Sequence, residues 1–325
     1  MRVFLTGLLL LCAGASAQTP PVFPLPGRPI TLMQGFVAGT QGDIYLRLVA
    51  PHLQAALGVP VAVESRFGAG GNVAMEAVAR AAPDGHTVLM VTSGQLAVNP
   101  ALFPNMPVDT RRDLAPIMTL FDAPNVITVS TATRPGYTDC RSLIAAVRAQ
   151  PGRLNYASSG VGSSTHLAAA QWLRALGLDM VHVPYRGGPA AMIGLFQGDV
   201  EMFMVQTGLV REDWRSGRVQ LLGVTSANRN PSLPEVPTVR EACGLPDFET
   251  SVWWGLVAPA RTPPAIIETL RREFARITAM PDITRRVADM GFTMMMNGPQ
   301  EMQALLERDI PRWAEVVRAT GARAD

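Results

Sequence analysis

Short apolar runs alternate with amphipathic segments along most of this chain. Residues 30–33 and 87–91 are apolar runs of strand length. Leucine and valine recur at helical spacing through residues 46–57, and Gly58 ends that pattern. Strands that alternate with helices of about 10–15 residues are typical of βαβ units and parallel sheets. The pattern therefore predicts an α/β fold.

The same alternation continues to the end of the chain, with glycine or proline at most boundaries. Pro51 and Pro311 fall inside two helical patterns and should bend those helices. Further strands are predicted at 59–64, 114–120, 125–130, 154–156, 179–183, 200–205, 220–225 and 251–258, and further helices at 73–82, 141–149, 165–176, 189–197, 209–216, 263–279, 282–290 and 299–320.

We expect two lobes. The length of 325 residues is about twice that of a typical domain. The strand predicted at 125–130 should cross into a second lobe, and the strand at 220–225 should return. We therefore assign residues 28–123 and 226–325 to a first lobe and residues 124–225 to a second. The two lobes would have mostly parallel sheets and a hinge of two segments.

The N-terminus has a different pattern. A short basic start precedes an apolar run at 3–13, and Ala15-Ser16-Ala17 resembles a cleavage site. We interpret residues 1–17 as a secretory signal peptide and residues 18–27 as a proline-rich lead-in. A membrane anchor is the alternative, but the run is shorter than the roughly 20 residues that a span needs. The mature protein should then be soluble and periplasmic.

The three cysteines bear on this interpretation. Cys12 would suggest a lipoprotein, but Leu11 stands where a small residue is expected, which makes lipidation the less favoured alternative. Cys140 and Cys243 would meet an oxidising compartment after export. The lobe assignment separates them, and a bridge would restrain motion between the lobes. We therefore favour two free thiols over a disulfide.

Charge adds a constraint on partners. The net charge is +2, and no run of basic residues stands out. A nucleic-acid partner normally requires a basic patch or stripe. We therefore expect no nucleic acid among the partners of this chain.

Small and hydroxyl residues follow most of the predicted strands. The richest such turn, residues 157–165, lies between a strand ending at Tyr156 and an alanine-rich helix. The first turn of a helix offers unpaired N–H groups and a partial positive charge, so it suits an anion such as a carboxylate. Open α/β sheets bind ligands at the carboxyl ends of their strands. We therefore expect this turn to face one cleft together with the similar turns at 35–42, 92–95, 184–188 and 206–208.

Enzymatic alternatives find less support. His166 adjoins Ser163 and Ser164, but the turn lacks the G-x-S-x-G pattern of a nucleophile elbow and an evident carboxylate partner. Residues 160–165 imitate a dinucleotide-binding fingerprint, with Asp179 about 20 residues on, but Thr165 replaces the third glycine. The other histidines lack metal-ligand spacing. We predict a protein without catalytic residues, metal or cofactor.

Eight stretches carry a family resemblance, namely residues 63–66, 68–72, 79–85, 99–102, 154–167, 182–187, 224–226 and 234–238. Together they resemble the periplasmic substrate-binding receptors of tripartite tricarboxylate transporters, also called Bug-type receptors. The similarity covers about residues 28–325.

The resemblance implies a two-lobed fold that closes like a Venus flytrap, of the type II-like periplasmic binding protein class. It also implies a small carboxylate ligand and integral membrane transporter subunits as partners. We expect the protein to be a monomer. The turn after the first strand would hold one ligand carboxylate, partly through water, and the turn at 158–165 would hold the other polar end. With the turns above, the implied ligand-binding residues are Phe36, Ala38, Gly39, Thr40, Gln41, Asp43, Thr92, Ser93, Ser158, Ser159, Gly162, Ser163, Ser164, Thr165, Tyr185 and Gln206.

This chain departs from the family pattern in two places. The family tends to read P-F-P-A-G-G-G-T-D in the first turn, whereas residues 35–43 lack both prolines and carry Thr40 and Gln41. Gln206 stands where the family often has Asp or Asn, so a ligand amine would lack a negatively charged partner there.

The sequence thus predicts an extracytoplasmic receptor that captures a small organic carboxylate between two lobes and delivers it to a membrane transporter. A ligand sensor that presents the carboxylate to a signalling partner is the first alternative. An exported enzyme on the same scaffold is the second.

Overall fold

The computed structural model describes residues 23–323. The predicted signal peptide, Cys12 and the first part of the lead-in lie outside the described residues. Within residues 23–323, no helix is both long enough and apolar enough to cross a membrane.

The described chain alternates strands and helices, and most of them fall where the hydrophobic pattern predicts them. The strands are β1 (Ile30–Gln34), β2 (Val61–Ser65), β3 (Thr87–Thr92), β4 (Leu114–Ser130), β5 (Asn155–Ser158), β6 (Val181–Pro184), β7 (Met202–Gln206), β8 (Val219–Val224), β9 (Ser251–Pro259) and β10 (Thr293–Met294). The helices are α1 (Gln41–Leu57), α2 (Asn72–Ala79), α3 (Asn99–Leu102), α4 (Cys140–Ala149), α5 (Ser164–Leu176), α6 (Gly188–Gln197), α7 (Thr207–Arg215), α8 (Val239–Cys243), α9 (Pro264–Thr278), α10 (Pro281–Asp289) and α11 (Pro299–Thr320).

The strands form one curled, mixed sheet in the order β2-β1-β3-β9-β4-β7-β5-β6, with β8 and β10 also paired to β4. The outer strands are parallel: β2, β1 and β3 at one end, and β7, β5 and β6 at the other. The central strands β9 and β4 run antiparallel to their neighbours. The predicted α/β class is confirmed, and the parallel strands that the pattern suggested occupy the two ends of the sheet.

Strand β4 joins the two ends of the sheet. It is one strand of 17 residues, where the sequence predicts two, and Pro124 lies inside it. Its first part pairs with β9 and β10, and its second part, from Asn125, pairs with β7 and β8. The ladder between β4 and β9 shifts register twice, which accommodates the strand's irregularity without ending it. One continuous strand therefore connects two packed halves.

Each half of the sheet has helices on both faces, and each has its own core. In the first lobe, α1, α9 and α10 cover one face around Tyr45, Phe121 and Phe274, and α2 and α11 cover the other. In the second lobe, α4, α5 and α8 enclose a core around Trp172, and α6 and α7 pack near Phe203.

The segment between β8 and β9 packs with the second lobe, although the sequence assigned all of 226–325 to the first. Leu233 and Val236 are buried in the core around Phe203, and Phe248 joins the core around Trp172. The chain returns to the first lobe at Thr250, whose N–H donates to the carbonyl oxygen of Thr225 at 2.9 Å. The sequence missed this excursion because it lies in a turn-rich stretch with one helix of only five residues, α8.

Cys140 and Cys243 form a disulfide, so the expectation of two free thiols is wrong. Cys140 begins α4 and Cys243 ends α8, and these two helices pack together in one core. The Cα atoms are 5.3 Å apart, a normal separation for a bridged pair. The expectation failed because it depended on placing Cys243 in the first lobe.

Candidate ligand-binding site

The turn between β5 and α5, residues 158–165, is called the α5 turn below. Ser163 caps α5, since its hydroxyl oxygen accepts the N–H of His166 at 3.3 Å. Gly160 and Gly162 have φ angles of 136° and 75°, which residues other than glycine rarely adopt. The sequence folds into this turn because its glycines permit the path and its serine starts the helix.

Most hydroxyl groups of the α5 turn bind to the turn itself. Ser163 donates to the carbonyl of Gly160 at 2.7 Å, and Thr165 Oγ1 accepts the N–H of Ser159 at 2.9 Å. These hydrogen bonds shape the loop and leave the helix end available. The N–H groups of Ser164 and Thr165 belong to the first helical turn and have no acceptor within the helix. Together with the helix dipole, they can receive an anion.

Two stacked histidines support the α5 turn from within the second lobe. Nδ1 of His166 accepts the N–H of Gly162 at 3.1 Å, and its ring lies 3.9 Å from that of His182 at an angle of 7°. The Nε2 atom of His182 is 2.7 Å from the hydroxyl of Ser158. Burial, and then the neighbouring His182, lower the pKa of His166 to about 4. A neutral His166 therefore holds the turn at neutral pH, with its proton on Nε2.

The turn between β1 and α1, residues 35–43, uses most of its own polar groups and is called the α1 turn. Asp43 is 3% exposed, and its Oδ2 accepts from the N–H of Gly39 and from Nε of Arg47, both at 2.9 Å. The hydrogen bond from Arg47 is the main cause that lowers the pKa of Asp43. The carboxylate of Asp43 thus stabilises this turn from inside.

The two residues that distinguish the α1 turn also bind within the protein. The hydroxyl of Thr40 donates to the carbonyl of Val37 at 3.0 Å, and Nε2 of Gln41 donates to the carbonyl of Met290 at 3.2 Å. Phe36 packs on Trp254 with ring centres 5.7 Å apart. Ala38 is exposed at the tip of the turn.

A small cavity of about 30 Å³ lies between the lobes, at the N-terminal end of α5. Val98, Leu167 and Trp313 form part of its apolar wall. No charged side chain is among the residues that line it. Its polar lining consists of Ser93, Asn125, Ser164, Thr250 and Ser251.

The structure brings three of the predicted residues to this cavity, namely Ser93, Gly162 and Ser164. Of the others, Thr92 makes reciprocal hydrogen bonds with Gln95, and Gln206 pairs with Asn125 across β4 and β7. The predicted residues that do not line it are Phe36, Ala38, Gly39, Thr40, Gln41, Asp43, Thr92, Ser158, Ser159, Ser163, Thr165, Tyr185 and Gln206.

Sequence reasoning missed Asn125, Thr250 and Ser251. All three lie where chain segments cross between the lobes. The available signal was a polar residue, Asn125, at the start of an otherwise apolar strand pattern. Such a residue is buried only at some cost unless it finds a partner, which makes it a candidate for a site.

Among residues 23–323, no three His, Cys, Asp or Glu side chains are grouped closely enough to hold a metal ion.

The cavity offers N–H groups, hydroxyls and one amide as its polar chemistry. Hydrogen bonds to a charged group contribute about 1.5–3 kcal/mol each, so a few neutral donors can hold a carboxylate.

Comparison with known proteins identifies the family. A model of the tripartite tricarboxylate transporter family receptor matches residues 45–322. The chain belongs to this receptor family. Members of the family are solute-binding receptors, and the relatives include BugT of Bordetella pertussis strain Tohama I, 33% identical over 318 residues that cover 98% of this chain and 96% of BugT.

Solved structures of similar receptors share the fold. Rpa4515 of R. palustris with adipate has a TM-score of 0.77 and 30% identity, covering 92% of this chain and 99% of that one. MatC of Rhodopseudomonas palustris with bound malate has a TM-score of 0.74 and 31% identity, covering 90% and 100%. The periplasmic binding protein BugD has a TM-score of 0.74 and 30% identity, covering 93% and 100%. The predicted family and the two-lobed binding-protein fold are confirmed.

Proposed function

We propose that this receptor binds a small organic carboxylate between its lobes and delivers it to integral membrane transporter subunits. The observation that carries the proposal is the N-terminal end of α5, which faces an interlobe cavity lined only by uncharged residues. Similar receptors hold adipate and malate, two small dicarboxylates. One ligand carboxylate would accept hydrogen bonds from the N–H groups of Ser164 and Thr165.

Two groups of the remaining predicted site residues enter the proposal. Ser158, Ser159, Ser163 and Thr165 shape the α5 turn through their hydroxyls. The α1 turn would face the other end of the ligand through the exposed residues around Ala38, with water bridging where direct contacts fall short.

We place the receptor in the periplasm, as a monomer. The disulfide between Cys140 and Cys243 supports export, because structural disulfides persist in oxidising compartments. N-terminal sequencing of protein purified from the periplasm tests this location. A start at Gln18 is expected, and a start at Met1 in cytoplasmic protein would contradict it.

A thermal shift screen tests the binding proposal. Each compound in a panel of mono-, di- and tricarboxylates is paired with its uncharged amide. A carboxylate present at 100 times its dissociation constant adds about 2.7 kcal/mol to the free energy of unfolding. Stabilisation by a carboxylate but not by its amide supports the proposal. Stabilisation by neutral solutes alone would overturn it.

Delivery is tested separately by uptake of the labelled ligand into cells. Deleting either this receptor or its membrane transporter subunits should abolish uptake to the same extent. Full uptake without the receptor would exclude delivery. A transcriptional response to the ligand that persists without the transporter would favour the sensor alternative.

A further inference from the structure

Asn125 is the polar residue that β4 places at the cavity, at the point where the strand passes between the lobes. It is 1% exposed and lies opposite Gln206. Its N–H donates to Thr225 Oγ1 at 2.9 Å, and its carbonyl accepts the N–H of Thr225 at 2.9 Å. The backbone of Asn125 is therefore held in place by Thr225, and Asn125 is one of the residues that line the cavity.

The neighbouring atoms set the orientation of the Asn125 amide. Nδ2 is 3.5 Å from the carbonyl oxygen of Ser164, which can only accept a hydrogen bond. Rotating the amide by 180° would place two acceptors against each other. The Nδ2 group therefore faces Ser164, and Oδ1 lies at the opposite edge of the planar amide.

Oδ1 of Asn125 is a buried acceptor that has no hydrogen-bond partner among the described residues. Most buried side-chain oxygens in proteins do have such a partner. A carboxylate cannot satisfy it, because two acceptors do not bond. The partner of Oδ1 must carry an N–H or O–H group.

We infer that Asn125 determines specificity, and that the ligand carries a hydroxyl or ammonium group beside the carboxylate bound at α5. This inference rests on the proposed function. The carbonyl that orients Asn125 and the N–H that faces the anion belong to the same residue, Ser164. With the ligand carboxylate at this N–H group, a donor on the neighbouring carbon would face Oδ1.

Water is the competing partner of Oδ1. A volume of about 30 Å³ holds roughly two water molecules. Water would satisfy Oδ1 whether or not the ligand carries a donor, so a water-filled cavity predicts no preference between a hydroxy acid and its deoxy analogue. If a donor group of the ligand satisfies Oδ1 instead, the receptor should prefer the donor-bearing ligand over its deoxy analogue, and this preference should depend on Asn125.

Isothermal titration calorimetry with matched ligands shows whether water or a donor group of the ligand is the partner of Oδ1. The probes are succinate, malate and aspartate, together with propionate, lactate and alanine, so that each set differs only at the carbon beside a carboxylate. In the wild-type receptor, a donor-bearing member should bind at least ~10-fold more tightly than its deoxy analogue. Malate or lactate in this role identifies a hydroxyl, and aspartate or alanine an ammonium group.

Three variants test the role of Asn125. Asn125→Leu should reduce the ratio of affinities below ~3 by weakening only the donor-bearing ligand. Asn125→Asp should favour the ammonium ligand over the hydroxy acid, because it adds a negative charge. Asn105→Leu, at an exposed asparagine of the first lobe, should leave every ratio unchanged.

Equal binding of the deoxy and donor-bearing ligands by the wild-type receptor would overturn the inference and leave the proposed function standing. So would a ratio that survives Asn125→Leu. Binding of none of the six probes would also overturn it, and the broader carboxylate panel would then decide the proposed function. The wild-type comparison needs no variant to fold.

Discussion

His166 makes the shape of the α5 turn depend on one protonation state. Its Nδ1 can accept the N–H of Gly162 only while that nitrogen carries no proton. The pKa of His166 falls from about 6.5 to about 4 on folding, so the unfolded chain binds the proton more tightly. This contribution to stability is complete above pH ~6.5 and is lost as the pH falls toward 4.

The pH dependence of unfolding tests this role of His166. Between pH 6.5 and 4, the loss of stability due to His166 should be on the order of 3 kcal/mol at most. His166→Asn keeps an acceptor for Gly162 without this titration, so its midpoint of thermal unfolding should fall less steeply with acid. His52→Asn, outside the stack, serves as the control. Equal slopes for wild type and His166→Asn would contradict the assignment.

Ser163 and Thr165 hold the shape of the α5 turn, and we expect them to affect ligand binding through that shape. The double variant Ser163→Ala/Thr165→Ala removes the cap of α5 and the acceptor for Ser159, so carboxylate affinity should fall about 10-fold or more. Calorimetry with the best ligand from the thermal screen measures it.

A matched control separates binding from folding. In the same lobe, Oδ1 of Asp139 caps α4 by accepting the N–H of Ser142 at 2.7 Å, and Asp139→Ala removes this cap. It should cost about 1 kcal/mol of stability without changing affinity. Unchanged affinity in the double variant would show that the α5 turn does not hold the ligand.

The elements themselves were largely predictable from the sequence. Helical spacing is strong in α9, where Ile266, Leu270, Phe274 and Ile277 are buried on one face, and the strand ends coincide with glycine turns. The hydrophobic pattern determines these elements because each must bury one face. Short elements such as α3, α8 and β10 carry too few residues for a period to appear.

The disulfide belongs to the scale of elements, because it fastens α4 to α8. It closes a loop between residues 103 positions apart, so its removal should cost about 2–5 kcal/mol. The double variant Cys140→Ala/Cys243→Ala should therefore unfold several degrees lower in a thermal melt. Both helices lie in the second lobe, so carboxylate affinity should change less than ~3-fold.

Reduction offers an internal control for the disulfide. A reducing agent should lower the melting temperature of the wild type toward that of the double variant and leave the variant unaffected. A double variant that melts at the same temperature as the oxidised wild type would contradict a structural role for the bond.

At the scale of the whole molecule, the lobes meet on both sides of β4. On one side Thr225 and Thr250 join, and on the other the start of α7 meets the end of α10. Thr207 donates to the carbonyl of Gly291 at 2.9 Å, and Gly208 lies so close to Met290 that a methyl group would overlap its carbonyl. We expect these junctions to limit how far β4 can bend.

Gly208→Ala tests the junction. Alanine favours a helix more than glycine does, so any loss of stability must come from the overlap with Met290. Such overpacking costs about 1–3 kcal/mol of stability. The lobes should separate slightly, the radius of gyration in small-angle X-ray scattering should rise, and carboxylate affinity should fall at least ~5-fold. Gly136 has open space around it, so Gly136→Ala should change neither the radius of gyration nor the carboxylate affinity. Wild-type scattering and affinity in Gly208→Ala would contradict the junction.

The site was less predictable than the fold, because the residues that line the cavity are far apart in sequence. The pattern predicted that the α5 turn lies between a strand and a helix, because its serines and glycines are contiguous in sequence. The cavity also draws on Asn125, Thr250 and Ser251, which meet only when strands distant in sequence are paired. The local pattern cannot show that Gln41 and Asp43 bind within the protein, because their partners depend on tertiary packing and on the turn's own conformation.

A crystal structure of the receptor with its best carboxylate tests the central claim most directly. A ligand carboxylate oxygen should lie within about 3.2 Å of the N–H groups of Ser164 and Thr165, between closed lobes. A ligand bound with its carboxylates away from the N-terminal end of α5 would contradict the account.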